Sequence, residues 1–351
     1  MGEAETPPQD QEILAQDQLL ELGRLKTREI KIGDARVAVD YAHVPLAESS
    51  KDQRRVAIYI GGLPHNPRQD MAGDPLETGF VSELLKGTRT DLIVLKPEGL
   101  NREAFVDKDG HIHDGTVTSA TRLQLEKIFL EQKINIHAEE TEVEIYGLSE
   151  GATQGVSLTK RLVDEGANVT AFVGIEPAGV SGYENPDNAR IYPSHIHRFR
   201  EYLTRNPVKK PVQETNYGHH VSADLLQSYG DILGGTDANP KDAFHAVTTF
   251  VGRLSAGLAG LKTPRAVQKE RLKLAFSENP NYEKVIEAGV PTIFYASPSS
   301  QAIPFSEMSS KIAGWREKYG ESVKMISSDT SHFDIGNISK GVGLALGLKK
   351  D

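Results

Sequence analysis

The segment from Glu142 to Val163 limits the fold more than any other part of this chain. Glu142–Tyr146 reads as a strand, and Gly147-Leu148-Ser149-Glu150-Gly151 follows it without a spacer. Ala152, Val156 and Val163 then recur at helical spacing, and Gly166 closes the helix. A strand entering a helix through so short a turn must bend sharply, and the serine occupies the bend. Small residues at 147 and 151 let strand and helix approach without a Cβ clash, and Gly155 does the same one turn on. This is the strand–turn–helix setting that a G-x-S-x-G nucleophile elbow requires. The spacing also fits an ordinary βα loop in a nucleotide-binding sheet.

The rest of the chain extends the alternation. Glu29–Ile32 and Arg36–Tyr41 predict a β-hairpin around Gly33 and Asp34. Val56–Ile60, Leu92–Leu95, Val169–Ile175, Pro291–Tyr295 and Val323–Ile326 predict buried strands. Helices are expected at Phe80–Leu85, from Ser119 with Leu125, Ile128 and Phe129 on one face, at Ser306–Tyr319 and at Ile338–Leu346. Strands alternating with helices predict a mostly parallel α/β sheet with helices on both faces. Residues 178–289 break the rhythm. Their helical patterns (His195–Leu203, Ala223–Ile232, Asp242–Leu258 and Arg265–Phe276) predict a helical lid inserted between two sheet strands. The expected organisation is an acidic N-terminal tail and helix in 1–27, a core formed by 28–177 and 290–351, and a lid in 178–289. Residues 1–23 carry six acidic residues and no basic one, with a short helix expected around Ile13–Leu22.

Composition narrows the function. No apolar run reaches the roughly 18 residues that a membrane-spanning helix needs. The net charge of −9 opposes docking on phosphate backbones or anionic lipid, so neither nucleic acid nor membrane is expected as a partner. Cysteine is absent, which excludes disulfides, thiolate metal sites and cysteine nucleophiles. The first residues lack the basic and apolar pattern of a secretory signal, so a cytoplasmic protein is expected. Neither a cofactor nor a metal is expected. His195 and His197, like His111 and His113, form H-x-H pairs, but neither pair has a carboxylate at helical spacing.

A serine hydroxyl attacks carbonyl carbon only when a base removes its proton. Among the eleven histidines, His332 follows the last expected strand, where such a base would stand. His219 and His220 lie in an expected lid loop. Acyl transfer also needs oxyanion donors, expected from the backbone N–H groups of Glu150 and of Leu63 in Gly61-Gly62-Leu63-Pro64. The Glu150 carboxylate would oppose an oxyanion if it pointed inward. Turned outward at a helix N-terminus it would be well placed.

With the leading hairpin, the G-G-L-P loop, the G-L-S-E-G elbow and the late histidine, the chain resembles the α/β-hydrolase superfamily over residues 28–177 and 290–347. The resemblance implies a cofactor-free serine hydrolase acting on a small ester or acyl substrate, with Ser149 as nucleophile and His332 as base. The position matching the family's usual acid after the seventh strand is Ser300, and no Asp or Glu lies between Pro291 and Ser306. The pancreatic-lipase group places its acid after the sixth strand, and Val173–Gly179 is similar to that segment, with Glu176 at the acid position. Asp329 and Asp334 lie nearer His332 in sequence, and Glu176 also fits a role as a loop cap. A ligand-binding or scaffold protein that keeps the fold without turnover is the alternative implied by the missing acid at Ser300.

Overall fold

The computed structural model describes residues 26–32, 35–44, 54–61, 91–97, 115–181, 277–296, 298 and 305–327. They form eight strands, β1 (Lys26–Ile32), β2 (Ala35–Val44), β3 (Arg54–Ile60), β4 (Asp91–Pro97), β5 (Thr141–Leu148), β6 (Val169–Ile175), β7 (Thr292–Ala296) and β8 (Val323–Ser327). Four α-helices lie among the described residues: α1 (Gly115–Glu131), α2 (Glu150–Asp164), α3 (Asn281–Glu287) and α4 (Phe305–Tyr319). The strands build one sheet in the order β1-β2-β4-β3-β5-β6-β7-β8. β2 pairs antiparallel with both β1 and β4, whereas β3 to β8 run parallel. Pairing on two sides explains why β2 extends past the expected Arg36–Tyr41.

Parallel strands covered on both faces read as continuous apolar runs rather than alternating ones. The burial follows that rule. Val56, Ile58, Ile60, Ile93, Leu95, Val143, Ile145, Phe172 and Phe294 face one side and pack against α1, α2, α3 and α4 in a single core. Their neighbours Ala57, Tyr59, Leu92, Val94, Tyr146, Val173, Ile175 and Tyr295 point to the opposite face and are equally buried. On the helical side Tyr282, Phe294 and Trp315 pack with ring centroids 5.8 to 6.2 Å apart. Such aromatic pairs contribute about 0.5–1.5 kcal/mol each beyond their burial. They fix α3 and α4 to the sheet.

α2 ends as its sequence predicts. Gly166, at φ +83, donates to Val163 O at 3.0 Å, and Ala167 donates to Leu162 O at 3.0 Å, which is the Schellman closure. Leu162 is fully buried, while Val163 is only partly so, one residue round from the expected face. α1 starts four residues before the expected Ser119 and buries Leu125, Ile128 and Phe129. Arg122 of α1 donates to Glu165 at 2.7 Å and ties α1 to the end of α2.

Ala178 and Val180 are buried in the core, and α3 packs into it through Tyr282, Val285 and Ile286. Residues 178–180 and 281–287 therefore pack into the core beside the sheet. α3 has only seven residues, too few to show a helical period, and tertiary burial stabilises it. The four expected lid helices, the N-terminal helix, Phe80–Leu85 and Ile338–Leu346 lie outside the described residues. Among the described residues no helix is long and apolar enough to cross a membrane.

Candidate functional site

β5 delivers Ser149 to the carboxyl edge of the parallel strands, and α2 leaves it at once. Ser149 sits at φ 54, ψ −120, a region that residues with a Cβ rarely occupy. Such strain costs on the order of 1–3 kcal/mol and survives only where the surroundings over-determine it. The surroundings here are backbone. Ser149 N–H donates to Ile175 O at 2.9 Å, and Ser149 O accepts Ala152 N–H at 3.0 Å and Ala178 N–H at 3.1 Å. The two flanking glycines are sterically required. A Cβ on Gly147 would lie 2.4 Å from Ala152 Cα, and one on Gly151 would lie 2.3 Å from Ile60 O and 2.5 Å from Gly61 O. The second contact presses the elbow against the carboxyl end of β3, where the G-G-L-P loop begins.

Glu176 follows directly on β6. Leu148 and Ile175 are register partners, so Ser149 and Glu176 are the next residues on adjacent strands. Glu176 is completely buried and also has a left-handed backbone, at φ 43. Its N–H donates to Tyr295 O at 2.7 Å, extending the ladder toward β7. Two residues on, the Ala178 carbonyl accepts Thr153 Oγ1 and Tyr282 OH, each at 2.8 Å. Burial pushes the Tyr282 phenol far above its ordinary value, so this hydroxyl stays a donor. Asn279 N–H donates to Gly179 O at 2.8 Å, and its side-chain amide donates to Thr153 O and Ser157 Oγ at 3.2 Å each.

The structure thus brings together Ser149, Glu150 and Glu176 at one edge of the sheet. Glu150 opens α2, and its N–H lies at the first helical position, where the helix itself supplies no acceptor. Its side chain is only 6% exposed and so does not project into solvent. Leu63, His332, Ser300, Asp329 and Asp334 lie outside the described residues. Behind the elbow, Glu144 of β5 is buried against Arg55 of β3 and accepts Tyr146 OH at 2.9 Å. Burial and the neighbouring Glu144 carboxylate both push the Tyr146 phenol well above its usual range.

The strand order can be compared with known architectures. No family model matches the sequence, and no curated protein matches it. Among solved structures, a probable hydrolytic enzyme from Pseudomonas aeruginosa is 11% identical, with 93% of this chain and 95% of that one covered and a TM-score of 0.54. A point mutant of an esterase is 12% identical over 93% of this chain and 100% of that one, with a TM-score of 0.51. A carboxylesterase of the ammonia-oxidizing thaumarchaeon Nitrososphaera gargenis is 12% identical over 91% and 96%, with a TM-score of 0.50. The chain has the α/β-hydrolase fold. In α/β-hydrolase terms the strained serine stands between the fifth strand and its helix, and the buried glutamate stands after the sixth strand. The clamp on Ala178 carries no sequence signal of its own. Thr153 is one polar residue in an amphipathic helix, and Tyr282 belongs to a helix too short to announce itself.

Proposed function

We propose that this protein is a serine hydrolase that cleaves a carboxylic ester through an acyl-enzyme on Ser149. The observation that carries the reading is the pair of strained, buried residues side by side: Ser149 at the elbow and Glu176 one strand over. In this reading Ser149 Oγ attacks the carbonyl carbon while His332 takes its proton. The collapsing intermediate expels the alcohol, to which His332 returns the proton, and water then releases the acid by the same route. Glu176 orients the imidazole and stabilises its cation. The N–H groups of Leu63 and Glu150 hold the oxyanion. Amide cleavage is the nearest variant. The insertion within 178–289, acting as a lid, would shape the acyl pocket, with the core residues at its two ends excepted.

A fluorophosphonate probe tests the assignment. It should label wild-type protein and fail to label Ser149→Ala. On a panel of p-nitrophenyl esters of increasing chain length, the same variant should lose activity by a factor on the order of 10⁶, the scale for a lost serine nucleophile. Retention of a tenth of the activity would refute Ser149. The missing acid at Ser300 favours one other reading, a ligand-binding or scaffold protein of this fold, and a folded wild-type protein that resists the probe would support it.

A further inference from the structure

We propose that Thr153 and Tyr282 are positioning residues that clamp the loop after β6, and through it Glu176, against the serine elbow. The inference rests on the acyl-transfer reading and adds two residues to it. Both hydroxyls donate to one carbonyl, that of Ala178, at 2.8 Å each. A backbone carbonyl has two lone pairs, and this one uses both. The N–H of Ala178 meanwhile donates to Ser149 O at 3.1 Å. One residue therefore joins the nucleophile's backbone, its helix α2 and the separate helix α3. It stands two positions after Glu176, whose own N–H is held by Tyr295 O at 2.7 Å. The left-handed backbone of Glu176 is thus pinned on both sides, as a strained residue must be if it is to persist.

A turn of this kind needs only backbone hydrogen bonds to close, and here two side-chain donors from two different helices, α2 and α3, are added. Asn279 supports the arrangement, linking Gly179 O to Thr153 O and Ser157 Oγ. The Tyr282 ring is held independently of its hydroxyl, by Phe172 at 5.9 Å, Phe294 at 5.8 Å and Trp315 at 6.2 Å. Removing the hydroxyl therefore loosens the loop without emptying the core. Once loosened, Glu176 no longer faces the base at the correct angle, and imidazolium in the transition state loses its partner.

The experiment compares Tyr282→Phe, Thr153→Val and Thr153→Ser, each alone and in a Glu176→Gln background, on a p-nitrophenyl ester. Tyr282→Phe and Thr153→Val should each lower kcat about tenfold with KM unchanged. The acid limb of kcat/KM should move to lower pH, because a displaced carboxylate no longer favours the protonated base. Thr153→Ser, which keeps the hydroxyl, should restore wild-type values. In the Glu176→Gln background the same two substitutions should add about twofold or less, since the residue they position has lost its charge. Unchanged kcat and acid limb in both variants, with wild-type protein labelled normally at Ser149, would overturn the clamp alone. Fully additive losses in the Glu176→Gln background would overturn it too. A wild type that is neither labelled nor active would overturn the acyl-transfer reading and the clamp together. Should Tyr282→Phe fail to fold, the Thr153→Val and Thr153→Ser pair decides.

Discussion

Gly151→Ala isolates what the elbow requires of the sheet around it. The new Cβ would stand 2.3 Å from Ile60 O and 2.5 Å from Gly61 O, and backbone oxygens of a central strand cannot rotate aside. An ordinary contact begins near 3.4 Å, so α2 and β3 must part by about 1 Å. Alanine gains up to about 1 kcal/mol over glycine as a helix former, which opposes the loss. Overpacking that displaces backbone costs roughly 1–3 kcal/mol, so the net effect should be destabilisation by about 1–2 kcal/mol. Function should suffer more. The displaced groups are the first turn of α2, with Ser149 and the Glu150 N–H, and the start of the loop carrying Leu63. A misplacement of about 1 Å at reacting groups costs up to 10²-fold in rate. The assay is urea unfolding at constant m-value beside kcat on a p-nitrophenyl ester. Gly314→Ala supplies the control: it lies in α4 with nothing within 4 Å of a new Cβ, and it should stabilise by roughly 0.5–1 kcal/mol with activity unchanged. A Gly151→Ala protein as stable and as active as wild type would refute the steric argument, and with it the proximity of β3 to the elbow.

Glu176→Gln should lower kcat without loss of the fold, by less than the roughly 10⁴ that removal of a triad carboxylate's charge costs in the worked protease case, because glutamate is longer. Adding Ser300→Asp should restore part of it, and a silent Glu176→Gln would point to Asp329 or a Ser–His dyad instead. At the other end of the sheet Asp91 is buried, which works to raise its carboxyl, but hydrogen bonds from His43 at 3.1 Å and Arg54 at 2.7 Å outweigh that and hold it below the usual carboxylate range. A depressed folded value means that the unfolded chain binds the proton more readily. The stabilisation is therefore full above the unfolded value near pH 4, and it is lost as pH falls through the folded one. Asp91→Asn should cost about 1–2 kcal/mol at pH 7 and flatten the acid side of the stability curve, while the rate on a p-nitrophenyl ester stays that of the wild type. A variant whose acid unfolding matches wild type would show that Asp91 does not carry this dependence.

The sheet was legible because parallel strands covered on both faces write themselves as short apolar runs, as β3, β4, β6 and β7 did, whereas β5 alternates through Glu142 and Glu144 and β8, at the edge, buries only Val323. The elbow was legible because Gly147 and Gly151 mark contacts that no larger residue tolerates. What escaped is what tertiary contacts alone stabilise. α3 exists because Tyr282 fits among Phe172, Phe294 and Trp315, and nothing within its seven residues says so. Ala178 and α3 likewise join the core by packing, and no pattern in the sequence marks them as doing so.

Backbone strain was the other hidden quantity. Among the described residues only Lys133, Ser149 and Glu176 have positive φ without being glycine. Lys133 follows the end of α1, where a left-handed residue commonly closes a helix. The other two stand on neighbouring strands, one residue past a register pair, and a helix cap accounts for neither. Each bears a Cβ in a conformation that glycine would adopt at less cost, so a chain under selection for stability alone would place glycine there. Serine and glutamate retain their side chains at that cost, and Ser149 N–H, Ser149 O, Glu176 N–H and both lone pairs of Ala178 O are committed to holding them. Strain held by that many bonds at two adjacent residues fixes where two side chains start from. It is the expected signature of groups used for their geometry, as the roles proposed for Ser149 and Glu176 require.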